Sequence, residues 1–591
     1  MIRRPPRSTQ SRSSAASDVY KRQQRQIVRY SVRVVIMLER ITNYAMAVVG
    51  LIHAKRLYAS FVRAAENADE VQNRVLLAKI RRNADSDYGR KHRFDQIRTY
   101  EDYIRRVPVQ TYEDFRPYID RVKQGDLRAL FGPREKVLMF ALTSGTTAVP
   151  KHIPVTYPFY KEYQRGWNIW GVKAMLDHRP SLLRSIVQVT SPMDDETTES
   201  GIPAGAITGL LAAMQKKLIR RFYTTPLCVA YIRDHEARYY TIVRLSVPRD
   251  VAWIVTASPA TTLRLARTAD EHRDVLIRDI HDGGLRSDID VPDWIRRKLA
   301  PRFKPNPERA HELERLVEQH GRLLPKHYWQ INFLANWMGG TMGLYLQDYP
   351  EYFGETPVRD IGLLSSEGRM CIPIQDGTPA GILEVTSQFF EFIPAEEYET
   401  DRPTVLRSFE LAEGREYFLV ITTSSGLYRY DMGDRVRVVG WFGRAPIIEF
   451  LCRGSHISSL AGEKLTERQV VGAVDAVNAT GRWRINNFVM APRWSTPPYY
   501  VLHVERSAGG SARDLAHLVD AELRASNIEY DSKRKSDRLA PLVVNLLPDG
   551  YLAMLDRKAT QVRSGRAEQY KHVFLYTVPG SDDSFPTAQD L

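Results

Sequence analysis

Apolar residues recur at three- and four-residue intervals from position 51 to 82 and stop at Asp85-Ser86-Asp87-Tyr88-Gly89, a spacing that predicts one amphipathic helix. The helical period returns over 99–106, ending before Pro108, and over 112–125, where Gly125 closes it. Short apolar runs at 137–142, 186–190 and 251–256 predict strands, while 210–222, 259–280 and 307–322 predict helices. Strands alternating with helices predict an α/β architecture with much of its sheet parallel. Past residue 465 the pattern changes: strands at 485–490, 499–505 and 542–547 accompany a helix at 511–525, a small α+β unit. No internal repeat interrupts the series.

At 591 residues the chain exceeds what one core fills, so two or more domains are expected. Composition is that of a soluble globular protein, 43% hydrophobic and 26% charged. Cys228, Cys371 and Cys452 lie far apart with no CxxC pair, which argues against a disulfide framework or a zinc site and for a cytoplasmic setting. Residues 27–52 are apolar but broken by Arg29, Arg33, Glu39 and Arg40. Their longest uncharged piece, 41–52, is about half a bilayer span, so a packed helix is expected and no transmembrane one. Net charge is +14, of which residues 1–22 contribute +5 through six Lys/Arg and one Asp. That stretch lacks periodicity, reads as disordered and resembles a translated sequencing adapter, so it is set apart from the fold; 581–591 reads as a second polar tail. The remaining excess suits a polyanionic small molecule. With no Lys/Arg run interleaved with aromatics, nucleic acid is not the expected partner.

Three stretches carry candidate chemistry. Residues 140–154 read FALTSGTTAVPKHIP. Hydroxyls and backbone N–H groups of Ser144, Gly145, Thr146 and Thr147 can form an anion-binding concavity, to which Lys151 adds a full positive charge. Nucleotide phosphates are the matching ligand, although a Ser/Thr-rich turn between strands is the commoner use of such residues. The GxxxxGK[ST] spacing is absent, so a P-loop fold is not indicated. Residues 360–370, DIGLLSSEGRM, end an apolar run in Ser366-Glu367, where a carboxylate can ligate Mg²⁺ alongside phosphate oxygens or stand solvated in a loop. Within 417–439 two strand-like runs flank a loop at 426–434; Asp434 beside Gly433 can accept from both ribose hydroxyls, or sit solvated in a hairpin. The aromatic-rich 328–345 can wall a pocket for a planar acid, with Trp337, Gly339 and Gly340 as candidates and core packing as the competing reading.

These stretches occur in order, with 453–467 (RGSHISSLAGEKLTE) and Gln569-Tyr570-Lys571 behind them. The set resembles the auxin-responsive acyl acid-amido synthetases, a branch of the adenylate-forming enzymes, over about 64–575, with a bacterial-type member expected. The resemblance implies a large N-terminal ATP- and acyl-binding α/β domain at 23–452, a hinge at 453–464 and a small mobile α+β lid at 465–580. Ser144, Gly145, Thr146, Thr147 and Lys151 match the family's phosphate-binding motif. Ser366 and Glu367 match the second motif, whose glutamate is associated with the metal. Tyr428, Arg429, Gly433 and Asp434 match the third, whose aspartate binds ribose. Arg453 matches the hinge arginine of adenylate-forming enzymes, and Lys571 the lysine that reaches into the site for adenylation. Leu363 stands where relatives often carry a tyrosine against the adenine, and Ala148 and Val149 replace a frequent extra glycine. The implied reaction uses ATP and Mg²⁺ to activate a carboxylic acid, then passes the acyl group to an amine, expected to be an amino acid, in a monomer. A thiol acceptor such as coenzyme A, or a catalytically silent nucleotide-binding regulator, are the alternatives.

Overall fold

The computed structural model describes residues 55–143, 151–398, 400–454, 457–485, 487–506, 510–552, 554–555 and 573–586. The 1–22 tail, the 27–52 stretch, residues 144–150 and Lys571 lie outside them. The chain divides into two compact units, Met1–Ala59 and Ser60–Leu591, and every element named below belongs to the second.

The helix expected over 51–82 is interrupted. Asn67 forms a turn, its side chain donating to the Arg63 carbonyl at 2.8 Å, and α1 (Ala68–Arg82) begins after it. Thr99 caps Tyr100–Arg106 by reciprocal bonds with Asp102, and α2 (Tyr112–Lys123) buries Phe115, Ile119 and Val122. β1 (Val137–Thr143) pairs antiparallel with β2 (Lys151–Thr156), Thr143 opposite Lys151. Thr156 then caps α3 (Tyr157–Asp177), with Pro158 in its first turn, where a missing N–H costs nothing.

Four strands, β3 (Ser185–Gln188), β4 (Val251–Val255), β5 (Phe333–Asn336) and β6 (Val358–Asp360), form a parallel sheet in chain order. Parallel neighbours need long crossovers, and helices supply them: α4 (Pro259–Glu271), α5 (Arg273–Asp282) and α6 (Pro307–His320) pack Leu263, Leu276 and Leu313 into one core with Ile254 and Leu334. Two predicted helices are each split. The 210–222 helix ends at Ala213 and a short one resumes at Lys217–Arg220, because the Arg220 guanidinium takes the Ala213 and Gln215 carbonyls from the helical ladder. The 259–280 helix bends at His272, whose ring packs edge-on against Tyr240 and ends α4 where α5 begins.

Beyond β6, β7 (Leu364–Ser365) and β8 (Gly368–Arg369) make a hairpin with Ser366-Glu367 as its two-residue turn. The largest sheet has seven strands and is antiparallel throughout, against the mostly parallel expectation. Its main strands, β9 (Phe389–Pro394), β10 (Glu416–Thr422), β11 (Tyr430–Phe442) and β12 (Ala445–Arg453), follow one another through connections without a crossover helix. β11 starts before the predicted loop ends, so residues 430–434 lie in a strand and only 423–429 turn.

In the C-terminal part, α7 (Glu467–Ala479) is not among the predicted elements. β13 (Phe488–Arg493), β14 (Tyr499–Glu505) and β15 (Val543–Leu547) form a sheet on which α8 (Ala512–Ser526) packs through Leu515 and Val519. Residues 573–576 add to its edge: Met490 N–H donates to the Phe574 carbonyl and Tyr576 N–H to that of Met490, both at 2.8 Å. No helix of the described residues is long and apolar enough to cross a membrane.

Candidate active site

The described residues that flank 144–150, Leu142 and Lys151, are tied to the other two motifs. On one side the Ser366 hydroxyl donates to the Leu142 carbonyl of β1 at 3.3 Å, stapling the β7–β8 hairpin to the strand that leads into the segment. On the other, the Lys151 ammonium bonds the Tyr430 hydroxyl at 3.3 Å and lies over the rings of Tyr112 and Tyr430, 5.3 and 5.9 Å from their centroids. Tyr430 opens β11, four residues before Asp434. Ser144, Gly145, Thr146 and Thr147 themselves lie outside the described residues.

Glu367 is not the solvated loop residue that its position in a turn allowed. It is 1% exposed, its N–H donates to the Ser365 hydroxyl at 3.2 Å, and its Oε1 is buried with no hydrogen-bond partner among the described residues. A buried carboxylate oxygen without a donor is costly unless a cation answers it, so this residue fits Mg²⁺ as one protein ligand beside nucleotide oxygens. Among the described residues no three acidic, His or Cys groups gather into a metal cage. Asp434 is 4% exposed and stands opposite Arg453 across the β11–β12 ladder. The adjoining glycines are joined too, Gly454 N–H donating to the Gly433 carbonyl at 2.7 Å, with Gly433 at φ 66.

Tyr428 and Arg429, expected at the nucleotide, have their side chains packed in the core. The Tyr428 hydroxyl accepts from Asn83 Nδ2 at 2.8 Å and its ring stacks on Tyr88 with centroids 5.1 Å apart. Arg429 pairs with buried Glu391 at 3.0 Å and donates to the Val107 carbonyl at 3.0 Å. Burial pushes the Glu391 carboxyl up, and the guanidinium opposes that shift. The pair braces the 423–429 turn from beneath.

The acyl-pocket candidates follow β5. Trp337 packs tilted on Phe450 of β12, centroids 5.1 Å apart, and a Cβ on Gly339 would stand 3.0 Å from the indole nitrogen and 3.4 Å from Phe450 Cβ. A side chain there would press on the indole while meeting Phe450 at ordinary contact distance. Gly340 opens the short helical stretch Gly340–Asp348. Met338 N–H donates to Asp360 Oδ2 at 2.6 Å, and burial pushes that carboxyl up to about 7. Neither Phe450 nor Asp360 was singled out by the sequence, although Asp360 opens the second motif. Leu363 is buried, its N–H on the Cys371 sulfur at 3.2 Å. Three residues past Lys571, Phe574 and Leu575 donate their N–H groups to Glu467 Oε2 at 3.0 and 3.3 Å.

The chain matches the GH3 family N-terminal domain over residues 57–358, the GH3 family central domain over 381–453 and the GH3 family C-terminal domain over 468–578. It is 25% identical over 526 residues to the jasmonoyl–L-amino acid synthetase JAR6 of Nicotiana attenuata, covering 84% of this chain and 89% of that protein. The probable indole-3-acetic acid-amido synthetase GH3.1 of Arabidopsis thaliana is 25% identical over 549 residues, 85% of this chain and 88% of its own length. These are plant proteins and lend no support to a bacterial-type placement. The solved structure of the GH3.15 acyl acid amido synthetase superposes with a TM-score of 0.60 at 22% identity, covering 87% of this chain and 92% of that one, a likeness of fold.

Proposed function

Because the chain belongs to the GH3 family, we propose that it is an acyl acid-amido synthetase, which adenylates a carboxylic acid with ATP and passes the acyl group to the amine of an amino acid. The observation that carries this reading is the pair of ties made by the residues flanking 144–150, Leu142 to Ser366 and Lys151 to Tyr430, which supports one cleft made of all three motifs. The acid's carboxylate attacks the α-phosphorus and pyrophosphate leaves; the amine then attacks the acyl carbon and AMP leaves. Bringing an anion to a polyanion requires fixed positive charge and fixed geometry. Lys151, held over its two tyrosines, and Lys571 supply the charge; Ser144, Gly145, Thr146 and Thr147 cradle the phosphates. Mg²⁺, held by Glu367, would neutralise phosphate charge. Asp434 holds the ribose, Arg453 belongs to the hinge at 453–464, and Tyr428 and Arg429 brace the turn without touching ATP.

The 465–580 lid would keep water from the acyl-adenylate until the amine arrives. We take the enzyme to be a cytoplasmic monomer, in keeping with three unbridged cysteines. A pyrophosphate-exchange screen over carboxylic acids, followed by an amino-acid panel with the best one, tests the reading. Exchange with at least one acid and amide formation are expected, and Lys571→Ala should lower exchange about 10²-fold. ATP binding with no exchange for any acid would sink it.

A further inference from the structure

Arg369 is a buried cation for which neither the fold nor the proposed reaction has yet found a use. It is 1% exposed and two residues past Glu367. Arg359, buried as deeply, lies between Asp177 and Asp376 at 2.8 and 2.6 Å, and Arg429 has Glu391. Arg369 has no ion pair among the described residues. Its Nη2 donates to the Ile361 carbonyl, while Nε and Nη1 are buried without an acceptor among the described residues. Such groups are strongly disfavoured unless something pairs them.

The side chain is held in a built place. A Cβ on Gly166 would lie 2.6 Å from Arg369 Cδ, so the arginine crosses α3 at that gap, and its guanidinium rests 4.8 Å over the ring of Trp167. Trp167 Nε1 and, one helical turn earlier, the Tyr163 hydroxyl are likewise buried without partners among the described residues. Tyr163 feels the charges of both Arg369 and Glu367, which puts all four residues in one neighbourhood. Asp360 and Glu384 act on Arg369 only from beyond ion-pair distance. Asp360 has its two oxygens on the Met338 and Gly362 N–H groups, and Glu384 has one on Thr386 while its Oε2 is buried without a partner among the described residues.

Arg369 Nε and Nη1, Trp167 Nε1 and the Tyr163 hydroxyl thus form a cluster of polar groups left unpaired among the described residues. A fork of N–H groups, an indole N–H and a phenol match a carboxylate, whose two oxygens meet a guanidinium in one plane. Beside Glu367, that carboxylate lies where the phosphates are proposed to be. We infer that Arg369, with Tyr163 and Trp167, holds the carboxylate of the acyl acid before its activation. The role given to the carboxylate rests on the adenylation reading; its binding does not.

Isothermal titration of the full chain tests this with butyrate, hexanoate, decanoate, benzoate, phenylacetate and indole-3-acetate, each paired with its primary alcohol. At least one acid is expected to bind about 10-fold or more tightly than its alcohol, and Arg369→Met should erase that preference while ATP affinity stays within about twofold. Tyr163→Phe removes only a hydroxyl and guards against a variant that fails to fold: acid affinity should fall about threefold or more with the alcohol unchanged. Equal binding of acid and alcohol by the wild type, no binding of any acid, or a preference that survives both variants would overturn the inference. Pyrophosphate exchange run alongside separates the two readings. Acid preference without exchange leaves the Arg369 site and removes adenylation; exchange with the preference intact in Arg369→Met does the reverse.

Discussion

Glu367 and Asp434 are both buried acids, yet their surroundings assign them different tasks. Glu367 carries an oxygen with no donor among the described residues; Asp434 sits on a ladder opposite Arg453. A residue that only positions ribose contributes to binding, so Asp434→Ala should raise the KM for ATP about 10-fold while kcat changes little. Steady-state exchange kinetics read this, and an unchanged KM would return Asp434 to a plain hairpin residue. At this scale the sequence showed residue types and not directions. Tyr428 and Arg429 stand in the same motif as Asp434, but spacing alone cannot tell which side of a turn meets the ligand, and both point inward. Arg369 lay in view inside SSEGRM; its lack of an ion pair among the described residues is a fact of packing.

Between elements, two buried acids join segments distant in sequence. Glu391 of β9 holds Arg429 below the 423–429 turn and also accepts from the Tyr100 hydroxyl at 2.9 Å. Arg429→Met strands that carboxylate and should cost about 3–5 kcal/mol in urea unfolding, whereas adding Glu391→Leu should recover most of the loss. Additive losses in the double variant would argue against the pair. Asp360 ties the end of β6 to the Trp337 loop, and burial lifts its carboxyl from the ordinary 3.8 to about 7 in the folded state. The folded state thus keeps a proton that the unfolded chain gives up. This stability is full below about pH 4 and lost as pH climbs through about 7. Asp360→Asn should flatten that slope in denaturant midpoints taken between about pH 4 and 8; an unaltered slope would place the titration elsewhere.

Elements were legible where one period persisted: α2, β1, β4, β14 and α8 stand within a few residues of their predicted ends. The 210–222 and 259–280 helices were not, because side chains that take carbonyls or pack at a bend leave no mark on hydrophobic spacing.

Over the whole molecule, alternating strands and helices revealed the parallel sheet, while the larger antiparallel sheet was hidden in a run of short strands lacking that rhythm. Residues 581–586, expected to belong to a polar tail, instead fasten the C-terminal part, because Asp582 and Phe585 find buried partners. Asp582 is fully buried, with His503 Nε2 at 2.6 Å and Arg493 at 3.0 Å, and the Phe585 ring lies 4.7 Å from that of His503. Asp582→Ala should release this clasp and speed hydrogen exchange at Tyr576, whose N–H bonds Met490, about 10-fold or more. Unchanged protection would mean that the edge pairing holds without it.

The bond from Gly454 to Gly433 puts the proposed pivot one residue from the proposed ribose contact. A lever turning about that point sweeps its far end through a wide arc while its near end scarcely shifts. The sugar can then stay seated through both half-reactions, and the C-terminal part can exchange one face for another above a stationary nucleotide.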